Sequence, residues 1–369
     1  MSWEVLIGVI RRALTSSAIA ALTSPRTVDH YLEQLHPMLT VDLVRARVVG
    51  VYRETSDSST VLLRPNRAWR GFTAGQHVQF GIEVDGVRRI RCFSVSSSAA
   101  NARRSFTVSV KAHPDGYVSQ FLHRRLSLGT LVHLSQAEGE FVLPQPVPDP
   151  LLLLSGGSGS TPVMSMLRTL RDTGHRGRVV FLHYARSRDE EMFADELDQI
   201  AITMPNARVH RIYTRSPVPG SPLSGRITVD HLAYLDVDPT NTLTYVCGPA
   251  GFIAAVSRIY ATHGDIAMLH TEYFKVPAVD PAAADMTGTV TFADSEVTVD
   301  NSGATILVQA EAAGLAPRFG CRMGICNTCA VRKHHGAVRH VVSGEVSAAT
   351  NETIRICTHT PIGDVNLAL

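Results

Sequence analysis

The chain has 369 residues and lacks any apolar run approaching the roughly 20 residues that a membrane-spanning helix needs. It also has little net charge, since 35 basic and 33 acidic residues leave +2 with histidine neutral. That balance gives no basis for nucleic-acid binding, which requires a concentrated positive face. Cysteine is scarce: six residues in all are too few for a disulfide scaffold at this length. No internal repeat is present. What remains is an ordinary globular mix, 44% hydrophobic and 18% charged, which sets aside a disordered or fibrous protein. The length is that of about two to three domains.

The cysteines are unevenly placed. Cys92 and Cys247 stand alone and read as reduced thiols, which implies a reducing, cytoplasmic setting. Cys321, Cys326, Cys329 and Cys357 crowd into the end of the chain. The N-terminus, Met1 to Leu14, places an acidic residue before its short apolar stretch and Arg11-Arg12 after it, the reverse of a secretory signal. Leu6, Ile10 and Leu14 fall on one helical face. Two readings stay open for it: a helix packed on the body of the protein, or one that touches a membrane or partner.

Residues 1–41 read as an Ala-rich helical extension with a break at Ser24-Pro25. From residue 42 short β-branched runs divided by turns (Val48–Val51, Ser59–Leu63, His77–Phe80, Ser105–Val110) predict a small antiparallel barrel. A helix is expected near Val118–Leu126, with strand pattern resuming to Leu143. Pro144, Pro146, Pro148 and Pro150 then mark a boundary, placed at residue 148. Residues 149–275 alternate strands (Leu151–Leu154, Arg178–His183, Arg208–Tyr213, Leu243–Val246) with helices (Val163–Arg171, Asp189–Ile200, and one from Phe252). That alternation predicts a parallel α/β sheet. Residues 276–284 read as a linker and 285–369 as a short β-rich domain.

That last domain holds Cys321-x4-Cys326-x2-Cys329, with Cys357 far downstream. Three ligands in one short loop and a distant fourth is the plant-type [2Fe–2S] spacing, whereas a zinc ribbon pairs its ligands as two knuckles. Gly320 and Gly324 leave room for the backbone to wrap a cluster and aim amides at its sulfurs. The loop Pro317 to Cys329 resembles that of plant-type ferredoxins, which implies a β-grasp (α+β) fold over the final residues, with Gly320 and Asn327 departing from the usual small residues.

Further upstream, Gly156-Gly157-Ser158-Gly159-Ser160-Thr161-Pro162 follows a four-leucine strand and opens a helix. Glycines let a backbone approach a pyrophosphate, and a helix N-terminus stabilises its charge. Pro162 suits the first helical turn. Arg186-Ser187 and Thr214-Arg215 follow the next strands and offer arginine and hydroxyl to a 2′-phosphate, which favours NADPH; solvated surface arginines are the alternative. Cys247-Gly248-Pro249 ends a later strand where a nicotinamide could rest. Arg91-Cys92-Phe93-Ser94 and Ser97 end a barrel strand, and Gly116-Tyr117-Val118-Ser119 opens the following helix. Arginine for phosphate, an aromatic for stacking and Ser94 for a hydrogen bond would suit a flavin.

Together these motifs resemble the ferredoxin–NADP reductase superfamily over residues 42–275, in that family's order. The resemblance implies FAD held by Arg91, Phe93, Ser94, Ser97, Gly116, Val118 and Ser119. It implies NADPH held by Gly156, Gly157, Gly159, Thr161, Pro162, Arg186, Ser187, Thr214, Arg215, Cys247, Gly248 and Pro249. Ser94, Cys247, Glu272 and Phe274 would stand at the reacting centre, and Cys321, Cys326, Cys329 and Cys357 would hold the cluster. Phe93 replaces the usual tyrosine, and Phe252 stands where methionine is usual.

A nicotinamide gives up two electrons at once and a [2Fe–2S] cluster accepts one, so a flavin between them matches the two. The implied flow is NADPH to FAD to [2Fe–2S] to a partner oxygenase or desaturase. The whole chain resembles most the reductases that serve membrane stearoyl-CoA 9-desaturases, which would place it at the cytoplasmic face of a membrane through its partner. Reductases of alkane hydroxylases, ring-hydroxylating dioxygenases and haem-thiolate monooxygenases share the order, and a redox-sensing module is the non-enzymatic alternative. The chain has no spaced histidine boxes of its own: His334-His335 reads as a solvated loop. Residues 285–369 carry six basic and eight acidic residues, net −2, leaving +4 on the remainder, a polarity that favours docking between carrier and reductase.

Overall fold

Apolar residues recur at every second position in several early strands, as in Val61 and Leu63, Val78, Phe80, Ile82 and Val84, and Phe106, Val108 and Val110, and these side chains are buried. The computed structural model describes residues 23–24, 26–84, 86–114, 116–218, 220–274, 286–320, 322–324 and 327–369. It divides into two compact units, residues 1–247 with 256–271 and residues 248–255 with 272–369. Among the described residues, no helix is long and apolar enough to cross a membrane.

In the first unit, β1 (Val44–Thr55), β2 (Ser58–Pro65), β3 (His77–Val84), β4 (Val87–Ser94), β5 (Phe106–Lys111) and β6 (Leu131–Leu134) form a six-stranded sheet in the order β4-β3-β6-β1-β2-β5. Its pairings are antiparallel. The inward residues Val61, Leu63, Val78, Phe80, Phe106 and Val108 form one core. Each such side chain contributes roughly 1.5–3 kcal/mol on burial. Helix α2 (Tyr117–Arg124) adds Val118 and Leu122 to this core. The strand pattern expected as far as Leu143 stops at Leu134. Beyond it Glu138 makes only an isolated bridge to His77, and Gly139 at φ 116° turns the chain.

Before the barrel, α1 (Val28–Leu35) is the one part of the expected helical extension that the described residues contain as a full helix. It ends at His36 because Pro37 follows, and a residue before proline is driven to extended backbone. Leu6, Ile10, Leu14 and the break at Pro25 lie outside the described residues.

The parallel sheet orders β7 (Leu151–Gly156), β8 (Val179–Ala185), β9 (Ala207–Tyr213), β10 (Leu243–Gly248) and β11 (Leu269–Tyr273) as β11-β10-β7-β8-β9. Every residue of β7 and β8 is buried, as a sheet covered on both faces requires. Helix α3 (Ser160–Asp172) follows β7. The helix expected at Asp189–Ile200 is broken: Arg188–Glu190 makes a single 3-10 turn and α4 spans Ala194–Thr203. Phe193 between them takes a left-handed backbone (φ 64°), which cannot continue a right-handed helix, and buries its ring instead. Helices α5 (Val229–Tyr234) and α6 (Ala250–His263) complete this alternation.

In the second unit, β12 (Thr289–Phe292), β13 (Val297–Asp300), β14 (Ala330–His340), β15 (Val346–Ser347), β16 (Glu352–Arg355) and β17 (His359–Leu367) form a mixed sheet, with α7 (Ile306–Ala312) packed in its core. β12 pairs β17 in parallel and β14 pairs β17 antiparallel. His334 and His335, expected in a solvated loop, instead lie within β14, where register shifts on either side of His335 mark bulges. Gly336 at φ 97° makes the second bulge possible, because a Cβ there would come within 2.3 Å of the Asp364 carbonyl. The linker expected at residues 276–284 lies outside the described residues. The three predicted sheet classes are those observed.

Candidate flavin, nucleotide and cluster sites

The end of β4 brings Phe93 and Ser94 to the barrel's rim. Ser94 is buried, and its hydroxyl has no hydrogen-bond partner among the described residues. Burying a hydroxyl unpaired costs roughly 1–3 kcal/mol, which a ligand atom at this spot would recover. Phe93 packs edge-on against Phe80 at 5.8 Å between centroids. Arg91 is exposed, and among the described residues its guanidinium donates to its neighbour's carbonyl at Ile90, 2.7 Å away, which leaves donors for an anion. Ser97 is engaged in the fold: its hydroxyl accepts from the Thr107 amide at 3.1 Å.

At the opening of α2, Ser119 donates to the Gly116 carbonyl at 2.9 Å and accepts from the His113 amide at 3.2 Å. A Cβ at Gly116 would lie 2.3 Å from that hydroxyl, so a larger residue would displace it. Val118 is 1% exposed with its side chain in the barrel core, so a ligand would meet only its backbone. Arg89, which the motif reading passed over, lies over the Tyr117 ring at 4.5 Å. Its spacing of two from Arg91 on one strand was the available signal.

In the parallel sheet, strand order reverses beside β7: β8 and β9 lie on one side and β10 on the other. Ligands of such sheets bind at the carboxyl end of the strands at this switch point. Gly156 and Cys247 both lie there, with Cys247 in register with Ser155. Gly157 adopts φ 55°, with open space where a Cβ would stand. Gly159, Thr161 and Pro162 are buried, and Thr161 closes the loop by donating to the Ser158 carbonyl at 3.1 Å. Ser160 is fully buried at the start of α3, and its hydroxyl has no partner among the described residues. Two unpaired hydroxyls, Ser94 and Ser160, with an open glycine loop at a helix N-terminus fit the flavin and the dinucleotide.

The loops after β8 and β9 run side by side. The Thr214 amide donates to Ala185 and the Arg215 amide to Arg186, both at 2.9 Å. Arg186, Ser187, Thr214 and Arg215 therefore share one stretch of the sheet edge. Glu190 stands among them, 3.5 Å from Arg186 and 3.3 Å from Lys111. Behind this edge His183 accepts from or donates to Ser155 at 2.7 Å, and burial pushes its imidazole down to about 4, so it is neutral near pH 7. Cys247 is fully buried, and Gly248 and Pro249 continue directly from it. Glu272 is buried in the second unit and Phe274 half-buried.

Of the four clustered cysteines, Cys329 and Cys357 are described. Both are buried in one core, neither is in a disulfide, and the Ile356 amide donates to the Cys329 carbonyl at 3.2 Å. Cys321 and Cys326 lie outside the described residues. Gly324 at φ 77° must be glycine, since a Cβ would meet the Thr358 methyl at 2.6 Å. Asn327 at φ 53° uses the residue that best tolerates a left-handed backbone after glycine, which accounts for this departure. Two buried thiols brought together by adjoining segments fit a thiolate-bound cluster.

Comparison with known proteins accords with this geometry. Residues 48–143 match the oxidoreductase FAD-binding domain, 153–258 the oxidoreductase NAD-binding domain, and 290–361 the 2Fe–2S iron–sulfur cluster binding domain. An NADPH oxidoreductase of Mycobacterium tuberculosis is 38% identical over 88% of this chain and 84% of its own. This chain belongs to the FAD-, NAD- and [2Fe–2S]-binding oxidoreductases. A glycine betaine monooxygenase reductase subunit of Chromohalobacter salexigens is 31% identical over 82% of this chain and 88% of its own. The solved structure of phthalate dioxygenase reductase shares the fold, with a TM-score of 0.60 at 21% identity over 89% of this chain and 98% of that one. The protein is thus an oxidoreductase with FAD-binding, NAD-binding and 2Fe–2S domains.

Proposed function

We propose that this oxidoreductase takes electrons from NADPH and passes them, through FAD and its [2Fe–2S] cluster, to a partner oxygenase. Bound together, the three groups would convert a two-electron donor into a one-electron supply. The observation that carries the reading is the pairing, in one unit, of the unpartnered Ser94 hydroxyl at the barrel rim with the Gly156–Pro162 loop at the sheet's switch point. The protein's own residues bind and orient: Arg91 and the α2 opening would take the flavin's phosphates, and the α3 N-terminus the dinucleotide's. Arg186 and Arg215 would meet a 2′-phosphate, and Arg186 is exposed enough to do so.

The acceptor has two readings. The resemblance of the whole chain, extension included, supports a membrane stearoyl-CoA 9-desaturase. The monooxygenase reductase subunit among its relatives supports another oxygenase. Purified protein should be yellow-brown and reduce ferricyanide and cytochrome c with NADPH in preference to NADH. A colourless protein holding stoichiometric zinc would overturn the reductase reading, and an NADH preference would overturn the roles of Arg186 and Arg215. Reconstitution with a desaturase in lipid vesicles, against a monooxygenase in solution, separates the two acceptors.

A further inference from the structure

Helix α3 is almost wholly buried along its first eleven residues, yet Thr161, Ser165, Arg168 and Thr169 are polar. Their spacing of four, three and one places all four on a single helical face. Buried polar groups must find partners, and these find them in two places. Thr161 secures the nucleotide loop, as described. The other three reach into the barrel, to the segment that directly follows Ser94. Ser165 donates to the Ser97 carbonyl at 2.7 Å, Arg168 Nη1 to the Ser96 carbonyl at 2.5 Å, and Thr169 Oγ1 accepts from the Ala99 amide at 2.9 Å.

Arg168 closes a ring of contacts. The Ser96 hydroxyl bonds Ser109 at 2.8 Å, Ser109 bonds Thr60 at 2.7 Å, and Thr60 donates to Glu54 at 2.6 Å. Glu54 accepts from the Phe193 amide at 3.4 Å, and the Phe193 ring lies 4.8 Å from the Arg168 guanidinium. Arg168 also grips Glu196 with two donors, Nε at 3.0 Å and Nη2. Burial alone would raise Glu196, but Arg168 and Arg171 hold it below the usual carboxylate range. Only a guanidinium offers a fork for a carboxylate, a further donor for a carbonyl and a flat face for a ring.

We propose that Arg168 is a positioning residue for hydride transfer: through Ser96 it fixes the strand end that bears Ser94 to the helix whose N-terminus carries the nucleotide loop. The step concerned would move a hydride, with both its electrons, from a bound nicotinamide nucleotide to a bound flavin, and Arg168 would act on it through Ser96, Glu196 and Phe193. A misplacement of one ångström between reacting groups can slow such a step about a hundredfold. The inference rests on the flavin and nucleotide reading of these two sites and is independent of the acceptor.

The test uses the full-length holoenzyme with Arg168→Met, Arg168→Lys and Ser165→Ala. Flavin and iron content should match the wild type, and KM for NADPH should stay within about twofold. Flavin bleaching by NADPH in anaerobic stopped flow should slow at least ~tenfold in both Arg168 variants. The long-wavelength charge-transfer absorbance formed with the nucleotide should weaken in parallel. Reoxidation of dithionite-reduced enzyme by ferricyanide should be unchanged. Bleaching and charge-transfer absorbance equal to wild type would overturn the proposal, as would equal losses in reduction and reoxidation. Rescue by lysine would show that charge alone suffices and overturn the argument from guanidinium geometry. If Arg168→Met does not fold, Arg168→Lys and Ser165→Ala carry the same readouts. Wild-type enzyme that holds flavin but is not bleached by any nicotinamide nucleotide would remove the underlying reading, and the proposal with it.

Discussion

At the scale of single residues, Ser94 and Arg168 mark opposite ends of what a motif can disclose. Ser94 is legible because a flavin-binding pattern names its position, and the structure adds that its buried hydroxyl lacks a partner among the described residues. Removing an unpaired buried hydroxyl should not weaken the fold. Ser94→Ala should therefore leave the urea midpoint of the flavin-free chain unchanged or slightly raised, while flavin reduction by NADPH falls about tenfold or more. A lowered midpoint would mean the hydroxyl serves the fold. Arg168 is illegible because an arginine inside a helix reads as a solvated face, and its partners are 72 and 28 residues away. Cys329 gives the second residue-scale prediction. Cys329→Ser should abolish cytochrome c reduction and spare ferricyanide reduction by NADPH, because the electron would still reach the flavin. Equal loss of both would show that the relay order is wrong.

At the scale of elements, sequence pattern located nearly every strand of the barrel and the parallel sheet, because burial there follows a simple period of two or an unbroken apolar run. It failed where a single residue overrode the period, as Phe193 does between residues 189 and 200. The short helix α1 shows another limit. Eight residues are too few to persist as an isolated helix, so α1 depends on its tether. That tether is Asp29, 3% exposed, whose carboxylate accepts from the amides of Val41 at 2.5 Å, Asp42 at 3.0 Å and Leu43 at 2.8 Å. Asp29→Ala leaves those donors without it, and should cost about 2–4 kcal/mol in urea unfolding and free α1 to proteolysis. An unchanged midpoint would show that water replaces the carboxylate at no cost.

At the scale of the whole molecule, buried histidines tie stability to pH. Burial pushes His77 and His183 down to about 4 from 6.5, and both are at most 2% exposed. The unfolded chain therefore binds protons that the folded one refuses. Their contribution is fully present above pH 6.5 and is lost as pH falls from 6.5 towards 4, up to ~3 kcal/mol for each. Urea midpoints should decline through that window, and His183→Gln should flatten the decline. A midpoint constant from pH 7 to 4.5 would refute this. The division of net charge, +4 over residues 1–284 and −2 over residues 285–369, is the other property carried at this scale.

The sequence by itself determined the chemistry available. The Cys321–Cys329 loop, the glycine loop and the Arg91–Ser94 strand end each lie within a short run of chain, where local geometry is set by φ and by the helix or strand they join. Only the tertiary structure decided how those motifs meet. The reversal of strand order beside β7, the unpaired hydroxyls of Ser94 and Ser160, and the Arg168 bridge to Ser96 all depend on contacts between residues far apart in the chain. Such contacts form only when burial forces polar groups to find partners across the core, and no local pattern encodes which partner each will find.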